Sequence, residues 1–270
     1  MLFILMFIRK MDPQLKPMTN RRNFIKNTGL LLSGLALSKH SLATSHKVAT
    51  PSLFMPEESR PHARTWMSFV ANDYIWSKRQ IPEVKRNLAL IAKTIAKYEP
   101  VTMLVSTDDY AEALSLLGGQ QSQPFPIQLI EFTTDDLWLR DTGPTFVTNN
   151  KGEKIAIDFN FNGWDNKQQH TKDAKVARFI TQQTDAIPQR TELVLEGGCF
   201  EVDGYGTAIL TKSSVLNRNP HWSQHEIEQE LQALLGLRKI IWLEGITGKD
   251  ITDGHIDFYA RFTQRGEVVA

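Results

Sequence analysis

The sequence predicts an α/β fold, and three observations carry that prediction. Beyond Pro51, short β-branched runs alternate with amphipathic helical stretches. The helical stretches are punctuated by proline, a capping box and glycine. Three polar, glycine-containing clusters recur at nearly equal spacing along the chain.

The elements follow in order. Pro82 opens a helix whose apolar residues Val84, Leu88, Ile91, Ala92 and Ile95 share one face, and Pro100 forbids its continuation. Val101 to Val105 reads as a buried strand, being β-branched and tightly bounded. A second helix begins at Asp108 and stops at Gly118-Gly119. Turns at Asn149 to Gly152 and at Asp203-Gly204 each join two β-prone runs into a hairpin. Ser223-Gln224-His225-Glu226 forms a capping box ahead of Ile227, Leu231, Leu234 and Leu235, with Gly236 placed to end that helix. Ile240 to Leu243 is the strand that follows.

Composition narrows the function classes. The 270 residues are 41% hydrophobic and 23% charged, with a formal net charge of +1, as in ordinary globular proteins. No basic field or Arg/Lys stripe with interleaved aromatics is present to hold a phosphate backbone, so nucleic acid is not an expected partner. The single cysteine, Cys199, permits no intrachain disulfide and leaves a multi-cysteine metal centre without ligands. His221 and His225 have the spacing of a helical metal pair, but His-Trp-Ser-Gln-His lacks the glutamate of a zincin motif, so no metal site is expected.

The first 43 residues differ from the rest, carrying seven basic side chains against the single acid Asp12. Asn20-Arg21-Arg22-Asn23-Phe24-Ile25-Lys26 precedes the uncharged stretch Thr28 to Ser38 and the small-residue site Ser41-Leu42-Ala43. This resembles a twin-arginine export signal, too short in its apolar part to be a permanent membrane anchor. It implies handling by the twin-arginine export machinery and a periplasmic or secreted destination; a basic N-terminus on a cytoplasmic protein is the alternative. The expected organisation is a signal segment over 1–43, a linker over 44–54 and one domain over 55–270.

The three clusters carry the chemistry. They are Trp138-Leu139-Arg140-Asp141-Thr142-Gly143-Pro144, Leu195-Glu196-Gly197-Gly198, and Thr252-Asp253-Gly254-His255-Ile256-Asp257. Asp141 to Glu196 is 55 residues and Glu196 to His255 is 59, a period that suits a repeated unit presenting one loop each. Convergence of those loops would surround His255 with Asp141, Glu196 and Asp257. Such a pocket fits a planar guanidinium, whose fixed N–H donors are accepted in pairs by carboxylates. Hydrolysis at the guanidinium carbon also calls for a thiolate nucleophile, with histidine protonating the departing ammonia and then activating water. The indole of Trp138 offers a face on which a guanidinium can stack. Taken singly, each residue has a plainer reading: Asp141 as half of an ion pair with Arg140, Glu196-Gly197-Gly198 as a turn, His255 as a satisfied core histidine.

Together with Met55-Pro56-Glu57, Pro61 to Met67, Asp135 to Phe146 and Leu216-Asn217-Arg218-Asn219-Pro220, these clusters resemble the agmatine deiminase and bacterial-type peptidylarginine deiminase family over about Met55 to Phe262. The resemblance implies a pentein-type α/β propeller of repeated ββαβ units. It implies deimination of agmatine to N-carbamoylputrescine and ammonia, or of peptidyl arginine to citrulline, without metal or organic cofactor. By motif, it makes His255 the general acid/base, places Asp141, Glu196 and Asp257 around the guanidinium, and puts Asp136 beside Trp138 among the substrate-binding residues. In that family the nucleophilic cysteine lies in a glycine-rich stretch well after the Gly-His-x-Asp motif. Here Ala270 follows Asp257 by thirteen residues within a β-prone run, so the last propeller unit is expected to be missing. Cys199 stands where the family has a small polar residue and does not match the nucleophile. A guanidine-binding chain without turnover is therefore the reading from another class.

Overall fold

The computed structural model of the chain describes residues 53–118 and 123–270. The expected signal segment and nearly all of the expected linker lie outside them, as does Gly119. Among the described residues no helix is long and apolar enough to cross a membrane.

The first element among the described residues is β1 (Leu53–Phe54), and a parallel sheet follows it. Strands β2 (Thr65–Phe69), β3 (Val101–Val105) and β4 (Ile127–Glu131) lie side by side in that order, β3 in the middle and buried along its whole length. The crossovers are helices α1 (Ile81–Ile95) and α2 (Tyr110–Leu117), as parallel neighbours require. Pro82 sits in the first turn of α1, where its missing N–H costs nothing, and Leu88, Ala89 and Ala92 face the sheet. The second helix starts two residues later than the sequence suggests, because Asp109 is its cap, and it ends at Gly118.

Two further sheets repeat one plan: a hairpin, then a helix, then a strand parallel to the second arm. In the first, β5 (Thr145–Asn149) and β6 (Lys154–Asp158) are antiparallel and β7 (Ile187–Arg190) runs parallel to β6. Helix α5 (Val176–Gln182) makes the crossover, and β1 adds to the free edge of β5. In the second, β8 (Phe200–Val202) and β9 (Thr207–Thr211) are antiparallel, and β10 (Lys239–Leu243) runs parallel to β9. Its crossover contains α6 (Lys212–Arg218) and α7 (Gln224–Leu235). Strands β11 (Arg261–Gln264) and β12 (Glu267–Val269) form one more hairpin.

Both expected hairpin turns are present, each tied by a side chain at its first residue. Asn149 Oδ1 accepts from the backbone N–H of Lys151 and Glu153, and Asp203 Oδ1 from those of Tyr205 and Thr207. The capping box at Ser223 and Glu226 forms on both arms, and Gly236 closes α7 in the left-handed conformation. Leu231, Leu235 and Ile227 from α7 meet Val147, Ile157, Leu195 and Leu210 in the largest core cluster. That cluster spans the two ββαβ-type units, so burial of a few large side chains, each contributing roughly 1.5–3 kcal/mol, holds the units together.

Candidate active site

Three short helical turns position the site: α3 (Leu139–Thr142), Gly197–Cys199 and Ile256–Phe258. Asp141, Glu196 and Asp257 each stand four residues before the first residue of a hairpin strand, namely β5, β8 and β11. The near-constant spacing read from the sequence therefore has a structural cause: one short turn precedes each hairpin, and the first turn touches the second, which touches the third.

The close approach depends on Gly198. A side-chain carbon there would sit 2.3 Å from His255 Nδ1 and 3.0 Å from both Asp141 Oδ1 and Asp257 Oδ2. Those three groups thus converge on one bare backbone position. The Gly198 N–H donates to Asp141 Oδ1 at 3.0 Å, and His255 Nδ1 lies 3.8 Å from Asp141 Oδ2. Asp257 Oδ1 is buried without a hydrogen-bond partner, one of two such side-chain atoms among the described residues.

On its other edge the imidazole is held firmly. His255 Nε2 lies 3.0 Å from Glu196 Oε2, and Glu196 Oε1 accepts from Arg218 Nε at 2.6 Å. The Arg218 and Glu196 side chains are fully buried. Arg218 also donates to the Ser214 and Thr252 carbonyls and lies near Asp253, so it ties α6 to the loop that carries His255. Ser213 and Thr211 donate to the carbonyls of Asp253 and Gly254 and fix the same loop. Asp253 and Gly254 both adopt positive φ, the turn that brings His255 inward. Asn219 pins the approach to Glu196 by bonding both the N–H and the carbonyl of Val194.

The electrostatics follow from burial and pairing. Burial alone would raise Glu196, but His255 and Arg218 outweigh it and hold the carboxyl below its usual range. Burial opposes a charge on His255, yet Cys199, Asp141 and Glu196 beside it push it up to about 11. Burial, reinforced by Glu196, raises the Cys199 thiol above its ordinary value. Asp141 and Asp257 are both raised by burial, against the pull of His255. The site thus sets an imidazole whose protonated form is favoured among closely packed acids, so the proton for a leaving group is in place before substrate arrives.

The residues singled out from sequence fall into two groups. Asp141, Glu196, His255 and Asp257 come together. Arg140 does not pair with Asp141, as the plainer reading had it; it turns to Glu58 instead. Trp138 is partly exposed at the start of α3, and its indole N–H donates to Asp136 Oδ2 at 2.9 Å. Asp136 is buried and also accepts from Trp76, Gln168 and the Leu137 N–H, so its carboxylate is filled by protein donors and orients Trp138. His225 lies on α7 bonded to Gln229, while His221 precedes that helix.

Three participants were not assigned from sequence. Trp164 is buried and donates its indole N–H to Asp141 Oδ2 at 3.0 Å. It reaches there from a left-handed turn, α4 (Gly163–Asn166), which periodicity cannot reveal. Arg218 stood inside a quoted motif without a role. Cys199 lies within the cluster, its Sγ donating to Glu196 Oε2 at 3.0 Å, on the Nε2 side of His255 and away from Asp141. Glu196, Cys199 and His255 also form a group of metal-ligand types whose ligand atoms lie within 4.8 Å of one another.

Known proteins share this arrangement of sequence and backbone. The sequence profile of the Porphyromonas-type peptidyl-arginine deiminase family matches residues 54–270. An agmatine deiminase of Ectopseudomonas mendocina is 40% identical over 223 residues, covering 80% of this chain and 59% of that protein. The solved agmatine deiminase of Enterococcus faecalis superposes with a TM-score of 0.74 at 32% identity, covering 80% of this chain and 60% of that one. A C. jejuni agmatine deiminase variant with substrate bound gives 0.70 at 26%, covering 80% and 63%. The chain thus spans about three fifths of the length of the relatives it matches. On this match the chain belongs to the Porphyromonas-type peptidyl-arginine deiminase family.

Proposed function

We propose that this site binds a guanidinium and serves a deiminase that converts agmatine and water to N-carbamoylputrescine and ammonia. The observation that carries the reading is the convergence of Asp141, Asp257 and His255 Nδ1 on Gly198, with Asp257 Oδ1 left without a donor. A guanidinium supplies planar N–H donors that such an acceptor lacks. Asp141, steadied by Trp164 and Gly198, and Asp257 grip the nitrogens, and Trp138 offers its face to the substrate. A thiolate adds to the guanidinium carbon, and the carbon–nitrogen bond breaks as His255 gives its proton to the departing ammonia. His255 then takes a proton from the water that cleaves the thiouronium, releasing the ureido product. Glu196 and Arg218 act through the imidazole by fixing its orientation. The attacking sulfur must arrive on the Nδ1 side, which Cys199 does not face.

The two hairpin–helix–strand units support a finer architecture, a pentein-type propeller with the site at its axis. The twin-arginine pattern at Arg21-Arg22 supports export and a periplasmic or secreted setting for the reaction. Calorimetry with agmatine and with a blocked arginine peptide, alongside ammonia release, tests the function. Agmatine is expected to bind and the peptide weakly or not at all; the reverse order assigns a peptidylarginine deiminase. Failure of any guanidine to bind, or equal binding to Asp141→Asn, overturns the proposal.

A further inference from the structure

The geometry points to a second use of the same interior: Glu196 Oε2, Cys199 Sγ and His255 Nε2 form a three-ligand site for a thiophilic divalent cation of the zinc class. All three residues are buried and their ligand atoms lie within 4.8 Å of one another. Two of the separations, Sγ to Oε2 and Nε2 to Oε2, are 3.0 Å. A zinc ion bonds nitrogen and oxygen at about 2.0 Å and sulfur at about 2.3 Å, so the tetrahedral edges of such a site measure about 3.3–3.5 Å. Those two edges need to open by only a few tenths of an ångström, and the third lies within 4.8 Å.

Proton release balances the incoming charge, and Arg218 supports one of the ligands. Binding removes one proton from Cys199 Sγ and one from His255 Nε2, releases both to solvent, and adds one divalent cation. The net charge of the buried cluster is therefore unchanged. Around the ligands, Arg218 holds the other oxygen of Glu196 at 2.6 Å, and Asp141 stands 3.8 Å from the opposite imidazole nitrogen. A carboxylate ligand backed by a donor is one of the outer contacts that orient a metal site. Three protein ligands also match a zinc site with one position open. On the reading of His255 as the acid/base of deimination, an ion on Nε2 silences its proton transfer. The binding claim itself stands apart from that reading.

The test uses the 270-residue chain with Co2+ and Zn2+. One Co2+ per chain is expected, with a thiolate-to-cobalt charge-transfer band that Zn2+ abolishes by displacement. X-ray absorption of the zinc-loaded chain is expected to show one sulfur at about 2.3 Å and lighter ligands at about 2.0 Å. Cys199→Ser keeps a donor to Glu196 but removes the soft ligand. It should lose the band and weaken Zn2+ by more than the roughly 10–100-fold typical of losing an outer contact. If that variant fails to fold, the absorption spectrum of the unaltered chain decides. Cobalt bound without charge transfer, as at His221 or His225, or a zinc shell without sulfur overturns the site. Agmatine binding without charge transfer refutes the metal site alone; charge transfer without agmatine binding refutes the deiminase reading alone.

Discussion

Replacing Gly198 by alanine is the most direct perturbation of the convergent site. Gly198 is not among the glycines with positive φ, so alanine meets no backbone strain there and the effect is purely steric. The added carbon would meet His255 Nδ1 at 2.3 Å, against the 3.4 Å at which ordinary contact begins. The imidazole must retreat by about 1 Å, a displacement that costs on the order of 100-fold when it befalls an aligned group. Retreat pushes the ring toward Glu196, already at 3.0 Å, so the strain spreads to a buried pair. Overpacking of this kind costs about 1–3 kcal/mol, or several degrees in Tm. Calorimetry with agmatine and a thermal melt read both effects. A Gly198→Ala chain that melts within a degree of the parent and binds agmatine equally would refute the convergence.

Other perturbations give separate readouts. Arg218→Met removes the cation on Glu196 Oε1 and leaves that buried carboxylate with His255 alone, which should cost about 3 kcal/mol in denaturant unfolding; Glu196→Gln added to it should recover part of that loss. Trp164→Phe keeps most of the packing but removes the indole donor to Asp141, which should lower agmatine affinity while leaving Tm within a few degrees; unchanged affinity counts against Asp141 as a guanidinium ligand. Burial raises Asp173 to about 7 in the folded chain, so its contribution to stability is full below about 3.8 and is lost as pH rises toward 7. Asp173→Asn should therefore flatten the fall in stability across pH 4–7, followed by urea midpoints at each pH.

The sequence by itself determined the local elements and the identity of the acids. Proline and glycine at α1, the capping box of α7 and the turn residues Asn149 and Asp203 act on backbone a few residues away, so their effect is legible without tertiary contacts. The spacing of Asp141, Glu196 and His255 was legible too, because it repeats the length of a hairpin–helix–strand unit. Only the tertiary structure decided how the loops meet. Gly198 had to be bare for His255 to approach, Arg218 had to thread from α6 to neutralise Glu196, and Trp164 had to turn in from a left-handed corner to reach Asp141. It likewise decided that Cys199 shares an oxygen with His255. Apart from the Cys199–Glu196 bond, these contacts join residues 22 to 59 apart in the chain, and a linear pattern carries no record of which distant side chain will fill a buried hydrogen bond.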